Sequence, residues 1–299
     1  MAKARALDKR RKAIRNIHKI TRTMELISRA NFSRAMARAV AASAYTKRIT
    51  ALVGHLARGG LKVSHPLLRP HEPVRSAILL TLTSNRGLCG GYNAAVFRLA
   101  AARWNAMAEE MPGPRLEVSG KRGISAFRFR GVQPHQTFTH FNDKPAFAEV
   151  EALANRYQED YLAGRLDRLE IAYTRFENLS RQVAVVETLL PLGALVSEEE
   201  EGGNGPFAGS PSAAPYEFFP SPEAILEEVV PTSFKVKLFK CFLDAAVSEQ
   251  IARMTAMKAA TENAEAMIDM LTMTYNRARQ GQITSELLEV VGGAEALNE

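Results

Sequence analysis

SEQIARMTAMKAATENAEAMIDMLTMTYNRARQGQITSELLEVVGGAEAL, residues Ser248–Leu297, contains no proline, and its only glycine before the pair Gly292-Gly293 is Gly281. Val247, Ile251, Met254, Met257, Thr261, Ala264, Ile268, Leu271, Tyr275 and Ala278 recur three or four apart, which draws one narrow stripe along a helix. A stripe sustained over this length predicts a partner helix of coiled-coil type rather than a broad globular packing face.

The other end of the chain supplies the partner. Ala2 to Leu56 holds no proline and no glycine before Gly54, enough for a helix on the order of 80 Å long. A helix of that length needs a surface to pack on, because packing supplies most helix stability in proteins. Its apolar residues include Leu7, Ile14, Ile17, Ile20, Met24, Ile27, Val40, Ile49, Leu52 and Leu56. The three-four rhythm is clear from Ile14 to Ile27 and thins from Ala30 to Ala44, where Ala and Ser dominate.

Charge is concentrated at the same end. Fifteen basic residues between Lys3 and Arg58 face only Asp8 and Glu25, a local charge of +13 against +7 for the whole chain. A basic helix suits nucleic acid, an anionic membrane surface or an acidic protein. The segment carries no nucleic-acid recognition motif, and its aromatics are only Phe32 and Tyr45. For any single residue here, a solvated helix face is the simpler reading. Hydrophobic content of 46% is ordinary for a soluble protein. No run approaches the roughly 18–20 apolar residues of a membrane span. No signal-peptide core follows Met1. Two cysteines, Cys89 and Cys241, suggest buried thiols in a reducing compartment rather than a disulfide framework or a metal site.

Between the ends the pattern changes. Gly59-Gly60, Pro66, Pro70 and Pro73 mark a linker. Val74–Thr83 is a buried strand, Ala94–Glu110 a helix, Leu116–Ser119 a strand, and Gly120 and Gly123 lie near the start of another helix. Pro145–Leu162 is helical, and Leu166–Phe176 and Gln182–Pro191 are strands made antiparallel by a turn at Glu177–Arg181. Alternating strands and helices predict an α/β domain with a mostly parallel sheet.

Arg86-Gly87-Leu88-Cys89-Gly90-Gly91 lies between a strand and a helix, where glycine-rich loops bind phosphate. It matches neither GxxxxGK[ST] nor GxGxxG, so a tight turn with close helix–sheet packing is the simpler reading. None of the six histidines sits in HExxH or beside a nucleophile–base pair. Glu198-Glu199-Glu200-Glu201 followed by GGNGPFAGSPSAAP has the composition of a flexible loop.

Three motifs in chain order resemble the gamma subunit of F-type ATP synthases. They are Ile14–Leu26 (IRNIHKITRTMEL); Thr83–Asn93 (TSNRGLCGGYN); and, in the last helix, Ser248–Met257, Tyr275–Gln280, Ile283-Thr284 and Val290–Ala294. The resemblance covers nearly the whole chain. It implies an antiparallel two-helix coiled coil of the N- and C-terminal helices with an inserted Rossmann-like α/β domain. The expected segments are 1–58 for the first helix, 74–192 for the α/β domain, 193–222 for a loop and return segment, and 223–299 for the last helix. It implies a non-catalytic rotor shaft without cofactor or metal, partnered by the alpha, beta and epsilon subunits and the c-ring. Membrane association would be indirect, on the cytoplasmic side of a bacterial inner membrane.

The resemblance also implies roles. Arg279, Gln280, Thr284 and Glu286 match positions that contact a beta-subunit loop, and Met24 and Arg253 match positions linked to efficient coupling. Tyr216, Phe218 and Phe219 fall in the segment expected against the c-ring or epsilon, with Phe219 where the family commonly has Glu. Leu287, Leu288, Val290, Val291 and Leu297 beside Gly292-Gly293-Ala294 fit a smooth tip; helix fraying at the glycine pair is the plainer reading, and the two are compatible. Both cysteines lie outside any segment matching the chloroplast-type regulatory insertion. Two other classes fit parts of the sequence: a nucleotide-binding α/β enzyme, on the glycine-rich loop alone, and a basic coiled-coil protein binding nucleic acid.

Overall fold

A computed structural model describes residues 2–58, 65–141, 144–192 and 222–296. The elements are α1 (Ala2–Arg58), β1 (Ser76–Leu82), α2 (Tyr92–Glu110), β2 (Gly113–Ser119), α3 (Lys121–Phe129), β3 (Gln136–Phe138), α4 (Phe147–Leu162), β4 (Arg168–Asn178), β5 (Arg181–Leu190) and α5 (Pro222–Ala296). The chain divides into two compact units, one of Met1–Arg29 with Arg253–Glu299 and one of Ala30–Ala252.

The larger unit is built on a five-stranded sheet in the order β3-β2-β1-β4-β5. β1 pairs in parallel with β2 and β4, β2 pairs in parallel with β3, and β5 is antiparallel to β4. This is the predicted mostly parallel α/β sheet. β1 is apolar on both faces because both are covered, as parallel sheets require. Ile78, Leu80 and Leu82 enter a core with Val150, Leu153 and Tyr157 of α4 and Phe234, Leu238 and Phe242 of α5. Ala77 and Leu79 enter the opposite core with Val96, Ala100 and Met107 of α2 and Phe127 of α3. The β4–β5 turn is held by Asn178, whose Oδ1 accepts from the N–H groups of Ser180 and Arg181, both at 2.9 Å.

α1 joins this unit through a third cluster. Ala35 and Ala39, with Phe32 and Met36 beside them, pack on Leu243, Val247 and Ile251 of α5. The alanine-rich stretch that thins the three-four rhythm is thus a site of close packing.

Buried carboxylates brace the larger unit. Glu117, 1% exposed, accepts from the Tyr157 hydroxyl at 2.6 Å and from Arg156 Nη2 at 2.5 Å. Glu170 receives Arg103 through two N–H groups at 2.6 and 2.7 Å. Asp167 Oδ2 accepts from the backbone N–H groups of Arg75 and Ser76 at 2.8 and 2.9 Å, and its Oδ1 meets His71 Nδ1 at 3.0 Å.

In the smaller unit, α1 and α5 run antiparallel. Thr21 meets Thr261 at 2.9 Å between hydroxyls, and Arg11 lies 4.7 Å from the ring centre of Tyr275. On α5 the stripe from Met254 to Ala278 is buried or half-buried at every predicted position. On α1 the inward positions include Leu7, Arg11, Ile14, His18, Thr21, Glu25 and Ser28. Their spacing of four and three is a heptad pattern.

Ile17, Ile20 and Ile27, read as part of the seam, are instead 47%, 59% and 54% exposed. The apolar residues of α1 form two adjacent stripes, and only the one through Leu7 and Ile14 meets α5. At its end α5 continues through Gly292 and Gly293 to Ala296. Each glycine costs about 1 kcal/mol of helix propensity, a penalty that does not forbid the turn.

Candidate functional site

The residues singled out on α5 lie on the end of the smaller unit. Arg279, Gln280, Thr284 and Glu286 are all exposed. At 100° per residue Gln280 and Thr284 lie within about 40° of each other on the side away from the Leu271–Tyr275–Ala278 seam, while Arg279 and Glu286 lie about 20–40° from the direction of Tyr275, at the seam's edge. Glu286 accepts from Gln282 Nε2 at 2.7 Å, and the Thr284 hydroxyl donates to the Gln280 carbonyl at 3.0 Å. Arg279 and Gln280 therefore project beside two side chains already fixed by their own helix. Around them Ile283, Leu287, Leu288, Val290 and Val291 are 46–72% exposed. A Cβ added at Gly281, Gly292 or Gly293 would meet nothing within 4 Å. This end therefore presents apolar surface and a few polar groups, with glycines that no packing inside the chain requires.

Met24 is half-buried and Arg253 is 4% exposed. With Thr21 opposite Thr261, the antiparallel register sets Met24 near Met257 and Arg253 level with Ser28 and Arg29. The two belong to the seam region of the pair, while Arg279 to Glu286 belong to its outer surface. Tyr216, Phe218 and Phe219 lie outside the described residues.

The basic character of α1 persists on its surface. Arg5, Lys9, Arg10, Lys12, Arg15, Lys19, Arg22 and Arg29 are exposed. Asp8 accepts from Arg11 at 2.7 Å and pairs with Lys12 at 2.9 Å; these two cations hold its carboxyl below the usual range, Lys12 most strongly. Arg22 pairs with Glu25 at 3.0 Å.

The glycine-rich loop closes on itself. Asn93 Oδ1 accepts from the Ser84 N–H at 3.0 Å, and its Nδ2 donates to Ser84 Oγ at 2.7 Å and Cys89 Sγ at 3.1 Å. Gly90 has φ +55 and Leu88 φ +64, so the turn uses the left-handed region. The close helix–sheet approach is made elsewhere, by Gly120 and Gly123. A Cβ on Gly123 would stand 2.5 Å from Thr83 Oγ1, and one on Gly120 would stand 2.5 Å from the Thr83 carbonyl carbon. Thr83 Oγ1 donates to the Ser119 carbonyl at 2.7 Å and accepts from the Gly123 N–H at 3.0 Å.

Cys89 and Cys241 are both free and buried, and burial pushes the Cys241 thiol up to about 12. Among the described residues no group of three or more His, Cys, Asp or Glu is placed to hold a metal, and no helix is long and apolar enough to cross a membrane.

The buried carboxylates escaped the sequence reading. Glu117 and Glu170 each sit in a Leu-Glu-Val/Ile strand context, where alternation points to a solvated face, yet α4 covers one and α2 the other.

The comparisons with known proteins agree with one another. The family model described as ATP synthase matches residues 3–297. The ATP synthase gamma chain of Rhodopirellula baltica is 57% identical over 297 residues, covering 99% of each chain. That of Moorella thermoacetica is 37% identical over 297 residues, 99% of this chain and all of the relative. Among solved structures, a chain of the Euglena gracilis mitochondrial ATP synthase (OSCP/F1/c-ring, rotational state 3) aligns with TM-score 0.63 at 18% identity, covering 99% of this chain and 95% of that one. A chain of the Tetrahymena thermophila mitochondrial ATP synthase central stalk and c-ring aligns with TM-score 0.54 at 17% identity over 81% of this chain and 99% of that one. With both ends paired in one helical unit, a parallel-rich sheet between them and near-complete relatives at this identity, the chain belongs to the ATP synthase gamma-chain family.

Proposed function

We propose that this chain is the central rotor shaft of an F-type ATP synthase, transmitting ion-driven rotation to catalytic sites carried by other subunits. As a gamma chain it is a non-catalytic part of that complex. The observation that carries the shaft reading is the antiparallel pairing of the two chain ends, fixed by Thr21–Thr261 and Arg11–Tyr275 and surfaced by exposed cations and apolar side chains. A coiled coil of this kind has no rotational symmetry about its axis, so each surrounding beta subunit meets a different face of it. A given shaft angle favours one site conformation only by as much as it binds that conformation better.

Arg279, Gln280, Thr284 and Glu286 then act as the few polar grips on a beta-subunit loop, against the apolar, glycine-bearing surface that slides. Met24 and Arg253 hold the helix pair that bears the load. Alpha, beta and epsilon subunits and a c-ring are the partners, with Tyr216, Phe218 and Phe219 proposed against the c-ring or epsilon. The chain attaches indirectly, as a peripheral protein on the cytoplasmic side of a bacterial inner membrane.

The test is co-expression with the alpha, beta and epsilon chains and the membrane-sector subunits, with ATP hydrolysis, ATP-driven ion pumping and ion-driven ATP synthesis measured per assembled complex. Gln280→Leu is expected to assemble normally and to lower coupled synthesis. Unchanged synthesis per complex would remove Gln280 from the grip. Failure of the chain to co-purify with alpha and beta would remove the shaft.

A further inference from the structure

Beyond Leu82 and Ser119, the carboxyl ends of β1 and β2 open into a cleft beneath α5. Its volume is about 380 Å³ counted to the open mouth, and its inner part takes only a few non-hydrogen atoms. The chain's crossings reverse at β1: α2 and α3 lead to strands on one side of it and α4 to the strand on the other. In open α/β sheets such a crevice is where ligands bind.

A phosphate in a crevice of this kind is held by backbone N–H groups. Here those at the start of α3 are already engaged. The N–H of Gly120 donates to the Phe138 carbonyl at 2.9 Å, that of Lys121 to Asn85 Oδ1 at 3.2 Å, that of Arg122 to the Ser84 carbonyl at 3.1 Å and that of Gly123 to Thr83 Oγ1 at 3.0 Å. The lining contains no Lys, Arg or His.

The cleft presents acceptors and ring faces instead. Glu249, 7% exposed, is the one charged side chain of the lining. A carboxylate offers about four acceptor positions, so a neighbour within the chain does not exhaust it. Ser119 is 4% exposed, and its hydroxyl has no hydrogen-bond partner among the described residues, although its carbonyl accepts twice from Thr83. Glu117, two residues earlier on β2, faces α4, so alternation turns Ser119 to the same side of the sheet, into the cleft. Tyr92, Phe141 and Phe242 form the walls, the last two with ring centres 4.7 Å apart. A carboxylate, an acceptor hydroxyl and aromatic rings, with no cation opposing them, suit an ammonium group. An anion would meet Glu249, and an apolar ligand would bury a charge and a hydroxyl without compensation.

We propose that this cleft binds a primary ammonium group, carried by a small amine or by a lysine side chain, with Glu249 and the Ser119 hydroxyl accepting from it and Phe141 and Phe242 beside it. The proposal does not depend on the rotor reading, because it concerns the larger unit alone and is tested on the full chain.

Methylammonium, acetate and methanol are the probes, and saturation transfer from the aromatic protons of the chain to the methyl protons of each is the assay. Transfer is expected to methylammonium and not to the other two at the same concentration. Ser119→Ala should weaken binding roughly tenfold, and Glu249→Gln by at least as much. Ala246→Leu, which fills the cleft without touching a charge, should abolish the transfer. Thermal unfolding of each variant checks that the fold is kept. Nα-acetyl-lysine amide compared with n-butylammonium separates the two carriers: tighter binding of the first assigns the site to a side chain, and tighter binding of the second to a free amine.

No transfer to methylammonium in the parent chain would overturn the proposal. So would acetate or methanol binding as well as methylammonium, transfer that survives in Ala246→Leu, or an affinity unchanged in both Ser119→Ala and Glu249→Gln.

Discussion

Asp167 fastens the segment entering β1, and removing its carboxylate has a calculable cost. Oδ2 accepts from two backbone N–H groups, Arg75 at 2.8 Å and Ser76 at 2.9 Å, and Oδ1 faces His71 at 3.0 Å. Asp167→Ala leaves two donors without their acceptor, each worth about 1–3 kcal/mol when buried. The site is 9% exposed, so water recovers a fraction, and the half-exposed His71 pair adds under about 1 kcal/mol. The expected loss is about 2–4 kcal/mol for the larger unit. Asp167→Asn keeps an accepting oxygen but not its charge, and should lose roughly half as much.

The pH dependence separates charge from shape. Burial pushes the Asp167 carboxyl up, but the two N–H groups and His71 outweigh it and hold it below its usual range. A carboxyl depressed in the fold contributes stability above its unfolded value, about 3.9, and that stability is lost as pH falls through the folded value. The gap between parent and Asp167→Asn should therefore shrink as the pH falls below about pH 4. Denaturant titration followed by Trp104, which packs on the core of this unit, is the assay. A gap unchanged to about pH 3, or an Asp167→Ala loss under about 0.5 kcal/mol, would refute the reasoning.

Other outcomes follow from the geometry. Gly120→Ala, at φ +98 and with its Cβ 2.5 Å from the Thr83 carbonyl carbon, should cost at least about 3 kcal/mol, whereas Gly131→Ala, at φ +78 with nothing within 4 Å, should cost only about 1–2 kcal/mol; thermal unfolding of the two variants makes the comparison. Thr21→Val with Thr261→Val removes the hydroxyl pair together with the bonds each makes to a carbonyl of its own helix, at His18 and Met257, which the helix ladder also serves; with shape kept, thermal unfolding should place the double variant within about 1 kcal/mol of the parent. Cys241, buried and pushed up to about 12, should resist iodoacetamide at neutral pH until denaturant is added, read by mass spectrometry.

The long helices, the central strands and the β4–β5 hairpin were legible because each rests on a repeat of 3.6 or 2 in side-chain polarity. The α5 stripe from Met254 to Ala278 is a direct case. β3 was not legible: Gln136–Phe138 is three residues long, too short for any period. The α1 seam was misread where Ile17, Ile20 and Ile27 lie beside the inward stripe, because hydrophobicity does not say which of two neighbouring stripes meets the partner helix. Arg11, His18 and Thr21 point inward despite their polarity; Arg11 meets Asp8 and Tyr275, and Thr21 meets Thr261 and the His18 carbonyl. The candidate grip residues were recognised by motif, since their exposure and polarity carry no physical signal that distinguishes them from other surface positions.

Thr83, Gly120 and Gly123 constrain one another unequally. A single hydroxyl stitches the ends of β1 and β2 to the start of α3, and it fits only because both facing positions lack side chains. A side chain at 123 would need a smaller group at 83, which would sever the stitch, whereas Gly120 faces the Thr83 backbone itself, and no change of side chain at 83 would make room there. Relatives that carry a side chain at 123 should therefore carry a residue smaller than threonine at 83, while 120 stays glycine whatever stands at 83, and that pattern would be visible in an alignment long before anyone solved another structure.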